Sequence, residues 1–235
     1  MKYRYATMGE ITQETNMPNY TIKYRQISLP NPNVFVKSLT YTKDKIWILE
    51  SASKITIIST EDKSVLSSFV VDEDSDSPEC SLIINDSTHV FVASTSGKIS
   101  VFDVHTHQLM RTKKLHPFNI NTFLFEPNTD IFISCDVTGN IFTWCYKTSH
   151  GFEFSHKLKV EGIVTCAHTF LHSESKRVKA IFAVANNQNC SIYCIQKVTS
   201  DCMESKIELI IDLNFMVSSI CYLSGKLWMC NEKDL

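Results

Sequence analysis

An all-β fold of four-stranded sheets stacked face to face around an axis, a β-propeller, is predicted by three observations. Short apolar runs dominate the chain, among them KIWILE, KITIIST, HVFVAST, KISVFDV, DIFISCD, NIFTWCY and KAIFAVA. They are rich in Ile, Val, Phe, Tyr and Thr, five to eight residues long, and bounded by polar turns, which is strand composition at strand length. No window of eleven or more residues shows helical periodicity, so alternating βαβ units are not expected. The runs also recur on a longer scale. First strands of a repeat begin near Val36, Cys80, Ile120 and Ile163, with a fifth near Val217. The interval is about 40 to 55 residues, and four strands fit in each, the signature of propeller blades.

Each element follows from this frame. A single four-stranded sheet is too small to bury two apolar faces, and radial packing of sheets covers both. The expected blades span about 35–75, 79–115, 116–160 and 162–213, with a partial fifth at 216–235. Residues 1–30 are expected to form an N-terminal extension with one strand, within TIKYRQISL, reaching the propeller. Four full blades and part of a fifth are fewer than ordinary closed propellers carry, so an incomplete or open array is expected.

Composition narrows the function. The chain has 43% hydrophobic residues and only 6 Gly and 6 Pro in 235, which fits a packed core rather than a linker or a disordered chain. The net charge of −2 shows no basic excess, so a general nucleic-acid binder is not expected. No apolar stretch is long enough to predict a transmembrane helix, and MKYRYATMGEITQE lacks the apolar core of a secretory signal. A cytoplasmic protein is expected. The 9 cysteines lie mostly inside apolar runs and read as small buried hydrophobes.

The third unit carries the most specific motif, HPFNINTFLFEPNTDIFISCDVTGNIFTWCYKTS, from His116 to Ser149. It resembles a WD40 repeat. A His opens the unit, Ile120 follows four residues later, a strand holds Ser134, Gly139 marks a tight turn, and Trp144 lies on the next strand. The resemblance implies a structural hydrogen-bond network in which His116, Ser134 and Trp144 take part. The acid of that network normally precedes the Gly, where this chain has Thr138, so an incomplete network is expected. In the preceding unit Phe102-Asp103 replaces the terminal Trp-Asp, and Thr106-His107 stands where Thr-Gly is usual. Ile58 and Cys194 fall near the Trp place of their units. KDKIWILE and SGKLWMCNE set Trp47 and Trp228 on second strands. In this they resemble the divergent propellers of inositol polyphosphate 5-phosphatases, Rho exchange factors and signalling scaffolds.

Gly97-Lys98 ends like a phosphate-binding loop, but no upstream Gly is present and a strand follows, so a turn is expected. Cys190 and Cys194 are about 13 Å apart on a strand, too far to share a metal ion. His105 and His107 share a strand face without a third ligand. DEDSDSPE lacks the Gly and the Glu of a calcium loop. The stretch CAHTFLHSESKRVK reads as a solvated loop, because the Phe-Arg-Arg-Gly motif of phosphoinositide-binding propellers is absent. No catalytic, metal or cofactor residue is predicted. The expected function is a non-catalytic scaffold that binds other proteins through propeller loops. Phe118, Asp136 and the acidic residues Asp72, Asp74 and Asp76 are the candidate contacts. The alternative is the regulatory propeller of a larger signalling enzyme, an inositol polyphosphate 5-phosphatase or a Rho exchange factor.

Overall fold

The computed structural model describes residues 35–42, 44–51, 53–71, 78–83, 88–126, 130–171, 179–186, 189–197, 205–213, 217–223 and 226–230. The chain divides into two units, 1–32 and 33–235, and every described residue belongs to the second. The expected N-terminal extension lies outside the described residues, as do Asp72, Asp74 and Asp76.

Among the described residues there are eighteen strands and no helix. Among these residues no helix is therefore long and apolar enough to cross a membrane. Blade 1 holds β1 (Val36–Tyr41), β2 (Lys45–Glu50), β3 (Lys54–Ser59) and β4 (Val65–Val70). Blade 2 holds β5 (Pro78–Ile83), β6 (His89–Ser94), β7 (Lys98–Asp103) and β8 (Leu109–Lys114). Blade 3 holds β9 (Ile120–Glu126), β10 (Ile131–Asp136), β11 (Asn140–Lys147) and β12 (Gly151–Lys159). Blade 4 holds β13 (Val164–Leu171), β14 (Lys179–Asn186), β15 (Cys190–Lys197) and β16 (Ser205–Leu213). A two-stranded sheet follows, β17 (Ser219–Leu223) and β18 (Lys226–Cys230).

Every sheet is an antiparallel meander in chain order. The first strands of successive sheets touch one another, β1 with β5, β5 with β9, β9 with β13, and β13 with β17. The sheets therefore meet face to face, as the sequence period implies.

The core is distributed over the interfaces between sheets. Trp47, Leu49, Ile55 and Ile57 of blade 1 meet Val90, Val92 and Phe102 of blade 2. Phe91, Ala93, Ile99 and Val101, from the opposite face of blade 2, meet Phe123, Phe132, Phe142 and Trp144 of blade 3. Blade 3 turns Ile131, Ile133 and Ile141 toward Val164, Phe182 and Val184 of blade 4. Blade 4 turns Ala183, Ala185 and Ile192 toward Ile220 of the last sheet. Because side chains alternate along a strand, consecutive residues of β6 and β10 serve opposite interfaces, and both strands are buried along their whole length. Polar latches join the same neighbours. Lys45 Nζ donates to the Val104 carbonyl at 2.9 Å, Asn121 Nδ2 to the Val164 carbonyl at 2.5 Å, and Thr165 Oγ1 to the Val217 carbonyl at 3.1 Å.

The two second-strand tryptophans have different environments. Trp47 is fully buried against Phe102 and His107. Trp228 is 57% exposed, because Met229 and Ile220 take the face toward blade 4 and strand alternation turns Trp228 away from it. Among the cysteines, Cys135, Cys190 and Cys194 are buried as small hydrophobes. Cys145 departs from the expectation: it lies in the core and is disulfide-bonded.

Two outer turns place bulky residues in the left-handed backbone region, Lys63 at φ 64° and His107 at φ 60°. A side-chain Cβ is crowded there, and glycine is not. His107 is recompensed by its edge-on contact with Trp47, with ring centroids 5.7 Å apart. Lys63 is exposed. Lys63→Gly is therefore expected to stabilise the fold by about 0.5–1 kcal/mol, a rise of about 2 °C in the thermal midpoint. A midpoint that falls would show that the turn is not strained.

Candidate functional site

The upper end of each sheet is the end where its first strand begins. In a four-stranded meander this end also carries the turn between the second and third strands and the exit of the fourth. Chemistry is concentrated here in blade 3. His116 sits in the connection leaving β8, Ser134 and Asp136 at the end of β10, and Trp144 on β11. All four are buried. The Trp144 indole N–H donates to Ser134 Oγ at 3.1 Å. Ser134 Oγ lies 2.7 Å from His116 Nε2, and His116 Nδ1 lies 3.1 Å from Asp136 Oδ2.

These distances define one consistent proton arrangement. The indole donates to Ser134, the Ser134 hydroxyl donates to Nε2, and the Nδ1–H donates to the carboxylate. Every donor then has an acceptor and the imidazole is neutral. Burial holds the His116 imidazole below its usual range, against the opposing pull of the Asp136 carboxylate. Burial acts to raise the Asp136 carboxyl, but donation from Asn140, Thr138 and His116 together outweighs it and holds the group below its usual range.

The network is therefore complete, contrary to the sequence expectation. Its acid is Asp136, two residues before the place the motif assigns. The same finding moves Asp136 out of the set of partner contacts: its carboxylate is buried and saturated. Oδ1 accepts from Thr138 N at 2.9 Å, Thr138 Oγ1 at 2.7 Å and Asn140 N at 3.0 Å, and Oδ2 also accepts from Asn140 Nδ2 at 2.8 Å. Asp136 thus ties the β10–β11 turn to the connection that bears His116.

Ser134, His116 and Asp136 stand in the order of a hydrolytic triad, yet the site cannot act as one. The hydroxyl is enclosed and already accepts the indole proton, so no acyl group can approach it. His116 also stacks on Phe142 at 4.2 Å, which fixes the ring as a packing element.

Two glycines hold the upper connections in place. Gly97 and Gly139 close the second turns of blades 2 and 3 at φ 81° and 86°. The Gly97 carbonyl accepts from Leu115 N and His116 N, both at 3.0 Å, and the Gly139 carbonyl accepts from Val160 N at 3.0 Å. Gly97-Lys98 is thus a strand-to-strand turn in the same role as Gly139. Asp103 caps the outer turn of blade 2, accepting from Thr106 N at 2.6 Å and His105 N at 2.9 Å. These donors lower its carboxyl from the usual range. His105 and His107 belong to this turn, and no group of three metal-ligating side chains occurs among the described residues.

The upper face offers a partner exposed apolar side chains among charged ones such as Lys159 and Glu161. Phe118 is 51% exposed in the connection between blades 2 and 3. Two residues missed by the motif reading join it at that end, Ile163 at 54%, just before β13, and Phe35 at 72%, just before β1. Their signal was a large apolar residue immediately ahead of a first strand, where alternation no longer points it into an interface. Of the positions near the Trp place, Ile58 is buried, and Cys194 packs toward the last sheet, whereas Tyr193 packs back on blade 3.

Solved structures share this fold. The WD40 repeats of RRP9 superpose with a TM-score of 0.60 at 14% identity, over 80% of this chain and 53% of that one. The chain has the WD40-like β-propeller fold. It spans about half the length of the RRP9 repeats. A structure of U3-55K matches at 0.59 and 13% identity, over 87% of this chain and 80% of that one. The computationally designed Ika4 protein matches at 0.56 and 15% identity, over 80% of this chain and 99% of that one. No protein-family model and no curated protein matches the sequence. The His116 network is buried at this end of the fold, and Phe118, Ile163 and Phe35 are exposed there.

Proposed function

We propose that the chain is a non-catalytic platform that binds other proteins through the upper face of its WD40-like sheets. The observation that supports this reading is the set of exposed apolar side chains Phe35, Phe118 and Ile163 at one end of the fold. Apolar groups of this size, carried on connections clamped to buried turns, present anchors at low ordering cost, because the backbone beneath them is fixed before a partner arrives. The clamp is the pair of hydrogen bonds from Leu115 and His116 to Gly97, which fixes the Phe118 connection.

The test is affinity capture from cell extract with the immobilised chain and with a Phe118→Asp/Ile163→Asp variant. Both positions are exposed, so the variant is expected to keep the wild-type thermal midpoint. Specific captured proteins are expected to be lost. Capture of the same proteins in the same amounts would remove the upper face from consideration.

A further inference from the structure

A second surface lies at the outer rim between blades 2 and 3, where side chains of β8 reach across to β12. Arg111 and Lys113 alternate on β8 and share the face that turns toward blade 3, because their cross-strand partners Val101 and Ile99 pack there. Lys157 of β12 is paired with Phe142, so it lies on the blade 3 face that turns toward blade 2. Phe152 and Phe154, partly buried, line the same cleft. Lys113 and Lys157 thus each stand over an aromatic ring of this interface, and Arg111 shares the Lys113 face of β8.

Their neighbours hold the cations without neutralising them. Arg111 Nη2 donates to the Thr148 carbonyl at 3.3 Å, and Lys113 Nζ to the Phe152 carbonyl at 3.5 Å. Lys113 Nζ lies 5.0 Å above the Phe154 ring, and Lys157 Nζ lies 5.2 Å above Phe142. Carbonyls and ring faces orient a cation but carry no net charge. The carboxylate nearest along β12, Glu153, is on the opposite face and pairs with Lys147 at 2.8 Å. Among the described residues no carboxylate pairs with Arg111, Lys113 or Lys157. In a chain of net charge −2, this is a local concentration of positive charge.

We propose that this cleft binds an extended acidic peptide segment of a partner protein. The proposal rests on the reading of the chain as a protein-binding platform and gives the chemistry of a second contact. Arg111 and Lys113 are two residues apart on a strand, so their side chains repeat at about 6.6 Å. Alternate side chains of an extended peptide repeat at the same distance, which lets successive acidic residues meet successive cations. Each cation keeps donors beyond those it spends on a carbonyl. Single-stranded nucleic acid has a comparable charge repeat, but it also needs free ring faces on which to stack bases. Here Lys113 covers Phe154, Lys157 covers Phe142, and Phe152 packs against Trp144 and Tyr146. The aromatic floor is spoken for, which leaves charge and hydrogen bonding as the recognition chemistry.

The experiment titrates the full chain into a labelled peptide of alternating Glu and Thr, a matched Lys and Thr peptide, and oligouridylate, read by fluorescence anisotropy. The acidic peptide is expected to bind and the basic one not. Arg111→Gln/Lys113→Gln is expected to weaken binding about tenfold, from about 0.7 kcal/mol per partly exposed pair. Lys157→Gln removes a cation that makes no backbone hydrogen bond, so it provides the same reading if the double variant folds poorly. Lys114→Gln, on the other face of β8, is expected to leave binding unchanged. Equal binding of both peptides, tighter binding of the oligouridylate, or full binding by a folded Lys157→Gln variant would overturn the proposal. Phe118→Asp/Ile163→Asp is expected to bind the acidic peptide normally. Failure of the cleft and failure of the upper-face reading are therefore separate results.

Discussion

Asp136→Ala is expected to lower the thermal midpoint by about 10 °C, which corresponds to about 3–5 kcal/mol for a chain of this size. The carboxylate is buried and accepts from His116, Thr138 and Asn140. Alanine leaves those donors enclosed without an acceptor, and each buried orphan costs about 1–3 kcal/mol. Thermal unfolding followed by circular dichroism measures it, and an unchanged midpoint would mean that the network contributes nothing. The same network sets a pH response. The His116 pKa is lowered in the fold, so the unfolded chain takes up a proton first as pH falls below the ordinary histidine value of 6.5. His107, lowered by burial and by Lys45, acts in the same direction. Asp136, also lowered, adds its loss only below the ordinary carboxylate value of 3.8. Stability is therefore expected to fall as pH drops from neutrality to about 5.5, and His116→Gln is expected to flatten that slope. A wild-type midpoint independent of pH over this interval would contradict the neutral, buried imidazole.

Much of this fold was legible because the second and third strands of blades 1 to 3 are buried on both faces. Residues such as Val90, Phe91, Val92 and Ala93 each have an apolar interface to fill, so β6 appears in the sequence as an unbroken apolar run. The recurrence of such runs at blade length then specified sheets stacked in series. His116, Ser134 and Trp144 were legible as a motif because one blade needs them at fixed offsets. Asp136 was not, because the motif places the acid by its distance from the glycine. In the fold the turn from Asp136 to Asn140 curls back over the carboxylate, so an acid at the end of β10 reaches His116. The cation cleft could not be read from the chain, since Lys113 and Lys157 belong to different sheets and face one interface only when the sheets stack. The exposure of Trp228 was hidden for a similar reason: the residue type and strand match Trp47, and only the neighbouring sheet distinguishes them.

Gly139→Ala and Gly97→Ala are expected to cost about 3–4 kcal/mol each, by two effects that add. The backbone at both positions is left-handed, at φ 86° and 81°, where an alanine Cβ is strained by about 1–2 kcal/mol. The Cβ would also press on backbone that cannot swing aside. At Gly139 it meets the carbonyls of Val160 and Gly162, and at Gly97 those of His116 and Phe118. Gly151 supplies the contrast. It has a similar φ of 85°, but its Cβ would meet only the guanidinium end of Arg111, which can rotate away. Gly151→Ala is therefore expected to cost about 1–2 kcal/mol, the conformational part alone. Thermal midpoints of the three variants measure the difference, and equal losses would show that contact with the connections adds nothing. Gly97→Ala carries a functional consequence as well. The carbonyls it displaces are those of His116 and Phe118, so the connection must move away from the turn that seats it. Phe118 is then offered to a partner on a loosened loop, and the ordering cost that the clamp had removed returns at binding. Partner capture by Gly97→Ala is expected to weaken below the temperature at which the variant unfolds, whereas Gly139→Ala, which displaces the connection before Ile163, is expected to leave the Phe118 contact intact.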